Sequence, residues 1–130
     1  MKRILIIDDE WVVCSFFEKI LPEEGYEVIS TLDARAGLRL VKKLKPDLVI
    51  IDMNMPGING MEGLRLIKET SDIPVIIVTG YGTMETVREA MRLGAYDYIT
   101  KPFDLDIVKA AVSGGLKTGS RASVRSRRAR

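Results

Sequence analysis

Residues 47–60 read DLVIIDMNMPGING, a short apolar run that ends in Asp52 and is followed by a loop. The run at residues 47–52 is branched and apolar but too short for a typical helix, which predicts a strand buried on both faces. The proline-glycine and asparagine-glycine pairs in residues 53–60 are strong turn signals. The stretch therefore predicts a buried strand with a carboxylate at its carboxyl end.

The same kind of run recurs along the chain, at residues 3–8, 26–31, 73–79 and 96–100. Apolar residues at helical spacing predict helices at residues 10–24, 33–45, 61–70, 83–93 and 104–113. The predicted N-caps are Asp33, Thr83 and Asp104, and the predicted ends or kinks are Pro22, Gly94 and Gly114-Gly115. Such strict alternation of strands and helices predicts an α/β fold, a parallel sheet with helices on both faces.

The rarest residue types exclude several kinds of chemistry. The chain of 130 residues has no histidine and one cysteine, Cys14. A serine or cysteine nucleophile activated by histidine is therefore excluded, as is a zinc site of the His/Cys type. Any metal must be held by oxygen ligands, which favours a hard cation such as Mg²⁺. Cys14 is expected to be a small buried side chain, and the single tryptophan, Trp11, to be partly exposed beside the first acids.

Charge and hydropathy bound the location and the domain organisation. No apolar run approaches the roughly 20 residues that cross a bilayer, and acids end the apolar run at residues 4–7 too early for a signal peptide. We therefore expect a cytoplasmic protein with no membrane partner. Residues 117–130 carry six cations and no acid, leaving a net charge of −4 for residues 1–116. This predicts one domain at residues 1–116 and a disordered basic tail or linker at residues 117–130.

Polar residues follow the predicted strands at the point where each strand ends. Asp8 and Asp9 follow the first strand, Asp52 ends the third, Thr79 ends the fourth and Lys101 follows the fifth. The carboxyl ends of parallel strands share one edge of the sheet, where ligands bind in such folds. Clustered carboxylates repel one another, and Mg²⁺ relieves that repulsion. A carboxylate beside a metal, a lysine and a hydroxyl donor is arranged to accept a phosphoryl group.

Four motifs resemble a known family. They are DDE at residues 8–10, DMNMPGING at residues 52–60, TGYG at residues 79–82 and YDYITKPF at residues 96–103. Together they resemble the receiver domain of two-component response regulators over about residues 2–115. Residues 79–104 look most like receivers of nitrogen-regulation-type transcriptional activators. The resemblance implies a flavodoxin-like, doubly wound sheet of five parallel strands in the order 2-1-3-4-5, with five helices on both faces.

The resemblance also implies roles at the carboxyl edge of the sheet. Asp52 would be the nucleophile that accepts the phosphoryl group. Asp9 would ligate Mg²⁺ directly, Asp8 mostly through water, and the backbone carbonyl of Asn54 would complete the protein's share of the metal shell together with Asp52. Lys101 would contact the phosphoryl oxygens.

A switch is implied by the same resemblance. Thr79 would move to hydrogen-bond the phosphoryl group, and Tyr98 would turn inward when it does. The Lys101-Pro102 peptide would be cis, which is energetically reasonable only before proline. The output would be a homodimer contact or partner docking on the face made by the fourth helix, the fifth strand and the fifth helix, about residues 83–111.

The phosphoryl donor would be a phosphohistidine on a separate sensor histidine kinase, since this chain has no histidine. The domain would not be an enzyme with an outside substrate, although it would catalyse its own phosphorylation and dephosphorylation at Asp52. The sequence does not identify the output domain or the downstream protein.

Three alternative functions fit the sequence less well than a receiver domain does. A phosphatase of the haloacid dehalogenase class also uses a strand-end aspartate, but it needs a general acid two residues later, where this chain has Asn54. A flavodoxin-like cofactor binder needs a loop rich in serine, threonine and glycine after the first strand, where this chain has acids. Nucleic-acid binding through Arg127, Arg128 and Arg130 is disfavoured because no aromatic stacking residues accompany them, and none is expected of the receiver itself.

Overall fold

The computed structural model describes residues 1–80 and 83–118, and its centre is a five-stranded parallel sheet. The strand order is β2-β1-β3-β4-β5, which confirms the predicted fold class. The strands are β1 (Arg3–Ile7), β2 (Glu27–Thr31), β3 (Leu48–Asp52), β4 (Val75–Thr79) and β5 (Asp97–Thr100). Each is shorter by one or two residues at its start or end than the apolar run that predicted it, although the flanking amides of Asp8, Asp47 and Tyr96 still donate to the carbonyls of Thr31, Arg3 and Val75 on neighbouring strands.

Helices follow every strand of the sheet. They are α1 (Trp11–Ile20), α2 (Ala34–Leu44), α3 (Gly60–Thr70), α4 (Met84–Arg92) and α5 (Leu105–Thr118), with a 3₁₀ turn at Pro22–Glu24. The predicted N-caps of α2 and α4 are confirmed, since the Asp33 carboxylate accepts from the Ala36 amide at 2.9 Å and the Thr83 hydroxyl accepts from the Thr86 amide at 3.1 Å. The side chains of these residues replace the hydrogen bonds that the first turn of a helix lacks.

Two apolar cores cover the two faces of the sheet. On one face Ile4 and Ile6 of β1 pack with α1 and α5, and on the other face Leu5 and Ile7 pack with α2, α3 and α4. Alternate residues of one strand thus enter different cores, which is why β1, β3 and β4 are apolar almost throughout. Among the described residues no helix has the length and apolarity needed to cross a membrane.

Of two predicted helix ends, one is confirmed and one was wrong. Pro22 ends the first helix, as one of the two outcomes predicted for it: the helix stops at Ile20, short of the predicted residue 24, and Pro22 begins a separate 3₁₀ turn that closes at Gly25 with φ +91°. The last helix continues to Thr118 instead of stopping at the glycine pair. A Cβ atom on Gly115 would lie 2.8 Å from Cδ1 of Leu48, so this glycine serves close packing of α5 on β3. Residues 119–130 of the predicted tail lie outside the described residues.

Gly60 brings the start of α3 against the end of β3. A Cβ atom there would lie 2.5 Å from Cα of Met53 and against the carbonyl oxygen of Asp52, and backbone cannot move aside cheaply. We expect Gly60→Ala to lower the free energy of unfolding by roughly 2–3 kcal/mol. Gly80→Ala is the control, since its Cβ would meet only Cδ of Lys101 at 4.0 Å. Urea unfolding of both variants checks this, and equal losses would contradict the packing account.

Candidate functional site

The ends of three neighbouring strands place the polar residues together. β1 ends at Ile7, β3 at Asp52 and β4 at Thr79, and these strands are adjacent in the sheet. Across the described part of the chain, the buried polar or charged residues are Asp8, Asp52 and Thr79, exposed by 1%, 3% and 0%. All three lie at this one edge, where helices α1, α3 and α4 begin just beyond the strands. Burial of two carboxylates side by side costs free energy, so this edge of the sheet needs a positive charge that compensates them.

Lys101 joins the acids from the carboxyl end of β5, the strand beside β4. Its Nζ lies 3.6 Å from Oδ2 of Asp8 and 3.6 Å from Oδ1 of Asp52, and it donates a hydrogen bond of 2.5 Å to Oε1 of Glu10. Its backbone is fixed, because its amide donates to the carbonyl of Thr79 at 2.9 Å. The predicted cis peptide between Lys101 and Pro102 is present.

Burial disfavours the charged forms of Asp8 and Asp52, and the pKa of each is raised. Burial, followed by the negative charge of Asp8, raises the pKa of Asp52 to about 6. Burial also raises the pKa of Asp8, although the Glu10 amide donates to its Oδ1 at 2.9 Å and Lys101 opposes the shift. For Lys101, burial works against the charged form, but the Glu10 hydrogen bond and the two aspartates outweigh it and raise the pKa.

The oxygen atoms present fit a divalent cation. One carboxylate oxygen each from Asp8, Glu10 and Asp52 lies within 4.8 Å of the others. Oδ2 of Asp8 is buried and has no hydrogen-bond partner among the residues that the structure describes. Such an orphaned acceptor in a cluster of hard oxygen donors is what Mg²⁺ would satisfy.

The predicted metal residues are only partly brought together. Asp9 and Asn54 are exposed and line the same cavity of about 610 Å³ as Asp52 and Lys101, but the Asp9 carboxylate is not one of the three converging oxygens. Their roles stay predictions. Glu10 was not among the predicted site residues, although it belongs to the acidic motif at residues 8–10; its long side chain reaches a lysine 91 positions away along the chain.

The two predicted switch residues lie on neighbouring strands. Thr79 is fully buried, and Tyr98 is half-buried and packs against the core formed with α2, α3 and α4. In the β4–β5 ladder Tyr98 pairs with Ile77 and Thr79 pairs with Thr100, so the two residues are offset by two positions. Residues 81–82 of the loop after Thr79 lie outside the described residues. The coupling between Thr79 and Tyr98 stays a prediction.

Two further predictions are confirmed at the start of α1. Trp11 is 68% exposed directly after the acids, and Cys14 is 4% exposed. The Cys14 thiol donates to the carbonyl of Asp8 at 3.4 Å, and burial raises its pKa to about 11. A thiol that stays protonated is a packing group rather than a nucleophile.

Comparison with known sequences and structures points to one protein family. The family described as "Response regulator receiver domain" matches residues 4–113. The sporulation initiation phosphotransferase F of Bacillus subtilis is 37% identical over 112 residues, which cover 85% of this chain and 90% of that protein. The nitrogen assimilation regulatory protein NtrX of Azorhizobium caulinodans is 36% identical over 88% of this chain, but the match spans only 26% of that protein. A receiver domain structure from Clostridium thermocellum superposes with a TM-score of 0.84 at 33% identity, covering 90% of this chain and 95% of that one.

In metal-free buffer at pH 7 we expect Asp52→Asn to raise the free energy of unfolding by about 1–3 kcal/mol. The folded-state pKa of Asp52, about 6, lies above the ordinary 3.8, so ionisation between these values costs the folded state stability. The gain should be full above about pH 6 and should vanish below pH 3.8, where the wild-type carboxyl is protonated in both states.

Urea unfolding with a chelator at pH 7 and again in acid measures this difference. Glu23→Gln removes an exposed carboxylate and is the control for general charge effects. If Asp52→Asn at pH 7 is no more stable than wild type, the claim that the buried, ionised Asp52 destabilises the folded state is contradicted.

Proposed function

Because the chain belongs to the response regulator receiver domain family, we propose that Asp52 accepts a phosphoryl group and that this switches the domain's conformation. The protein is a receiver of the two-component type, a class whose members are switched by phosphorylation. The observation that carries the assignment of Asp52 is its burial beside Asp8 with a lysine ammonium 3.6 Å from its oxygen. An exposed aspartate would offer neither a defined metal position nor a paired cation.

In the proposed reaction an Asp52 oxygen attacks the phosphorus of a phosphohistidine on a sensor histidine kinase in the cytoplasm. An O–P bond forms and the N–P bond breaks, and the imidazole nitrogen keeps the electron pair and is protonated from solvent. Lys101 can pair with the phosphoryl oxygens, because its Nζ already lies within reach of Asp52. Thr79 supplies a hydroxyl donor at the end of the adjacent strand.

Asp8, Asp9 and Asp52 would hold the metal with the Asn54 carbonyl. Bound Mg²⁺ would offset part of the negative charge of these carboxylates and of the phosphoryl oxygens. Asp8 contributes an oxygen that has no hydrogen-bond partner elsewhere among the described residues. In dephosphorylation a water oxygen would attack the phosphorus, the O–P bond to Asp52 would break and inorganic phosphate would leave. With the transfer described above, the domain would thus catalyse both its own phosphorylation and its own dephosphorylation.

The conformational output is proposed for the face formed by α4, β5 and α5. Movement of Thr79 toward the phosphoryl group would leave space for Tyr98, shifting the population between two packings of this face. Apolar side chains are available there for a homodimer or a partner, since Met84, Leu105 and Ile107 are exposed by 68%, 41% and 56%. The receiver is proposed to comprise residues 1–116, with residues 117–130 as a tail or a link to an output domain.

Wild type incubated with acetyl phosphate and Mg²⁺ should gain the mass of one phosphoryl group, stable to acid and labile to base. Asp52→Asn should gain none, because its amide is a poor nucleophile. Asp33→Asn is the matched control, since it changes an exposed N-cap carboxylate to an equally good capping residue. Intact-mass spectrometry is the measurement. Phosphorylation of Asp52→Asn to the wild-type extent would remove Asp52 from its proposed role.

Thr79→Ala should still be phosphorylated at Asp52 but should lose most of the amide chemical-shift changes at residues 83–111 that phosphorylation of wild type produces. The reason is that the hydroxyl linking the phosphoryl group to Tyr98 is gone. Thr100→Ala, at the exposed end of the neighbouring strand, should keep those changes. Heteronuclear NMR spectra measure them, and full changes in phosphorylated Thr79→Ala would contradict the proposed coupling.

A further inference from the structure

Lys101 is held more closely by Glu10 than by either buried aspartate. The Glu10 carboxylate accepts its hydrogen bond at 2.5 Å, whereas the Asp8 and Asp52 oxygens lie 3.6 Å away, beyond hydrogen-bond distance. The lysine that is expected to meet a phosphoryl group therefore already has a partner. Glu10 is the exposed member of the three acids around the ammonium, so the hydrogen bond lies on the solvent side of the site.

Glu10 combines a fixed backbone with an exposed side chain. Its amide donates to Oδ1 of Asp8 at 2.9 Å, and its carbonyl accepts from the amides of Val13 and Cys14 at the start of α1. Its side chain is 59% exposed, compared with 2% for Asp8 and 4% for Asp52. An exposed carboxylate on a flexible stem can release its partner at little cost, whereas a buried one cannot.

We propose that Glu10 is a positioning residue that holds Lys101 in the unphosphorylated chain and competes with the phosphoryl group for it. The inference rests on the proposed function, because the competing anion is a phosphoryl group on Asp52. That group carries close to two negative charges and three acceptor oxygens, so it wins the ammonium from a single carboxylate. Breaking the Glu10 pair is then part of the free energy of switching, and Glu10 sets how readily the activated state forms.

The same carboxylate could instead be a metal ligand, since one of its oxygens lies near those of Asp8 and Asp52. The two roles predict opposite effects of one substitution. Glu10→Gln keeps the length and shape of the side chain and removes its charge. Loss of a competitor strengthens the binding of a phosphoryl mimic and leaves metal binding intact, whereas loss of a ligand weakens metal binding.

The test is to titrate the full chain with Mg²⁺ alone and then with beryllofluoride in saturating Mg²⁺. The fluorescence of Trp11 monitors both titrations. Beryllofluoride mimics a phosphoryl group on a carboxylate. We expect Glu10→Gln to bind beryllofluoride roughly two- to tenfold more tightly than wild type, and Mg²⁺ with an affinity within about twofold of wild type. Amide shifts of Asp8 and Lys101 give a second readout that does not depend on Trp11.

Two further variants separate a specific pair from a general effect of charge. Glu10→Asp keeps the charge but shortens the stem, so it should behave like Glu10→Gln if the contact with Lys101 matters. Glu18→Gln removes a carboxylate from the same helix, where it accepts from Ser30, and should match wild type. Weaker Mg²⁺ binding by Glu10→Gln, unchanged beryllofluoride affinity, or wild-type behaviour of Glu10→Asp would each overturn the proposal. Absence of beryllofluoride binding by wild type would instead overturn the proposed function on which it rests.

Discussion

The central constraint on this structure is the burial of two carboxylates side by side, with one lysine ammonium near both of them. Asp8 and Asp52 are almost fully buried at the ends of adjacent strands, and burial raises the pKa of both. Burial limits the hydration of their charge, and Lys101 at 3.6 Å offsets only part of it. A bound cation would offset more of this charge, as the proposed function requires. The rest of the fold keeps that arrangement in place.

The scaffold achieves this with rigid strands and close backbone approaches. Residues of β1 and β3 enter both apolar cores alternately, so the strand ends cannot shift without disturbing packing on two faces. Gly60 lets α3 begin in direct contact with the backbone of Asp52 and Met53 at the end of β3. Over this base Glu10 and Lys101 extend long side chains that meet in a hydrogen bond of 2.5 Å.

Much of this could be predicted from the sequence, because strand alternation and strand-end residues are local signals. The parallel sheet, the caps at Asp33 and Thr83, and the meeting of Asp8, Asp52, Thr79 and Lys101 at one edge followed from them. The end of α5 could not be predicted in this way. In the sequence Gly115 resembles a residue that ends a helix, whereas in the fold it makes room for Leu48 of β3. Glu10 was missed because its contact depends on side-chain reach across the site rather than on its position after the strand.

The most direct test of the account is the titration of the Asp52 carboxyl carbon by NMR, first with chelator and then with saturating Mg²⁺. The account predicts a pKa of about 6 without metal and a clear fall when the metal binds, because the cation favours the charged form. An ordinary carboxyl pKa near 3.8 in the metal-free chain, unchanged by Mg²⁺, would contradict it. That result would mean that the acids at this edge are neither strained nor arranged around a cation.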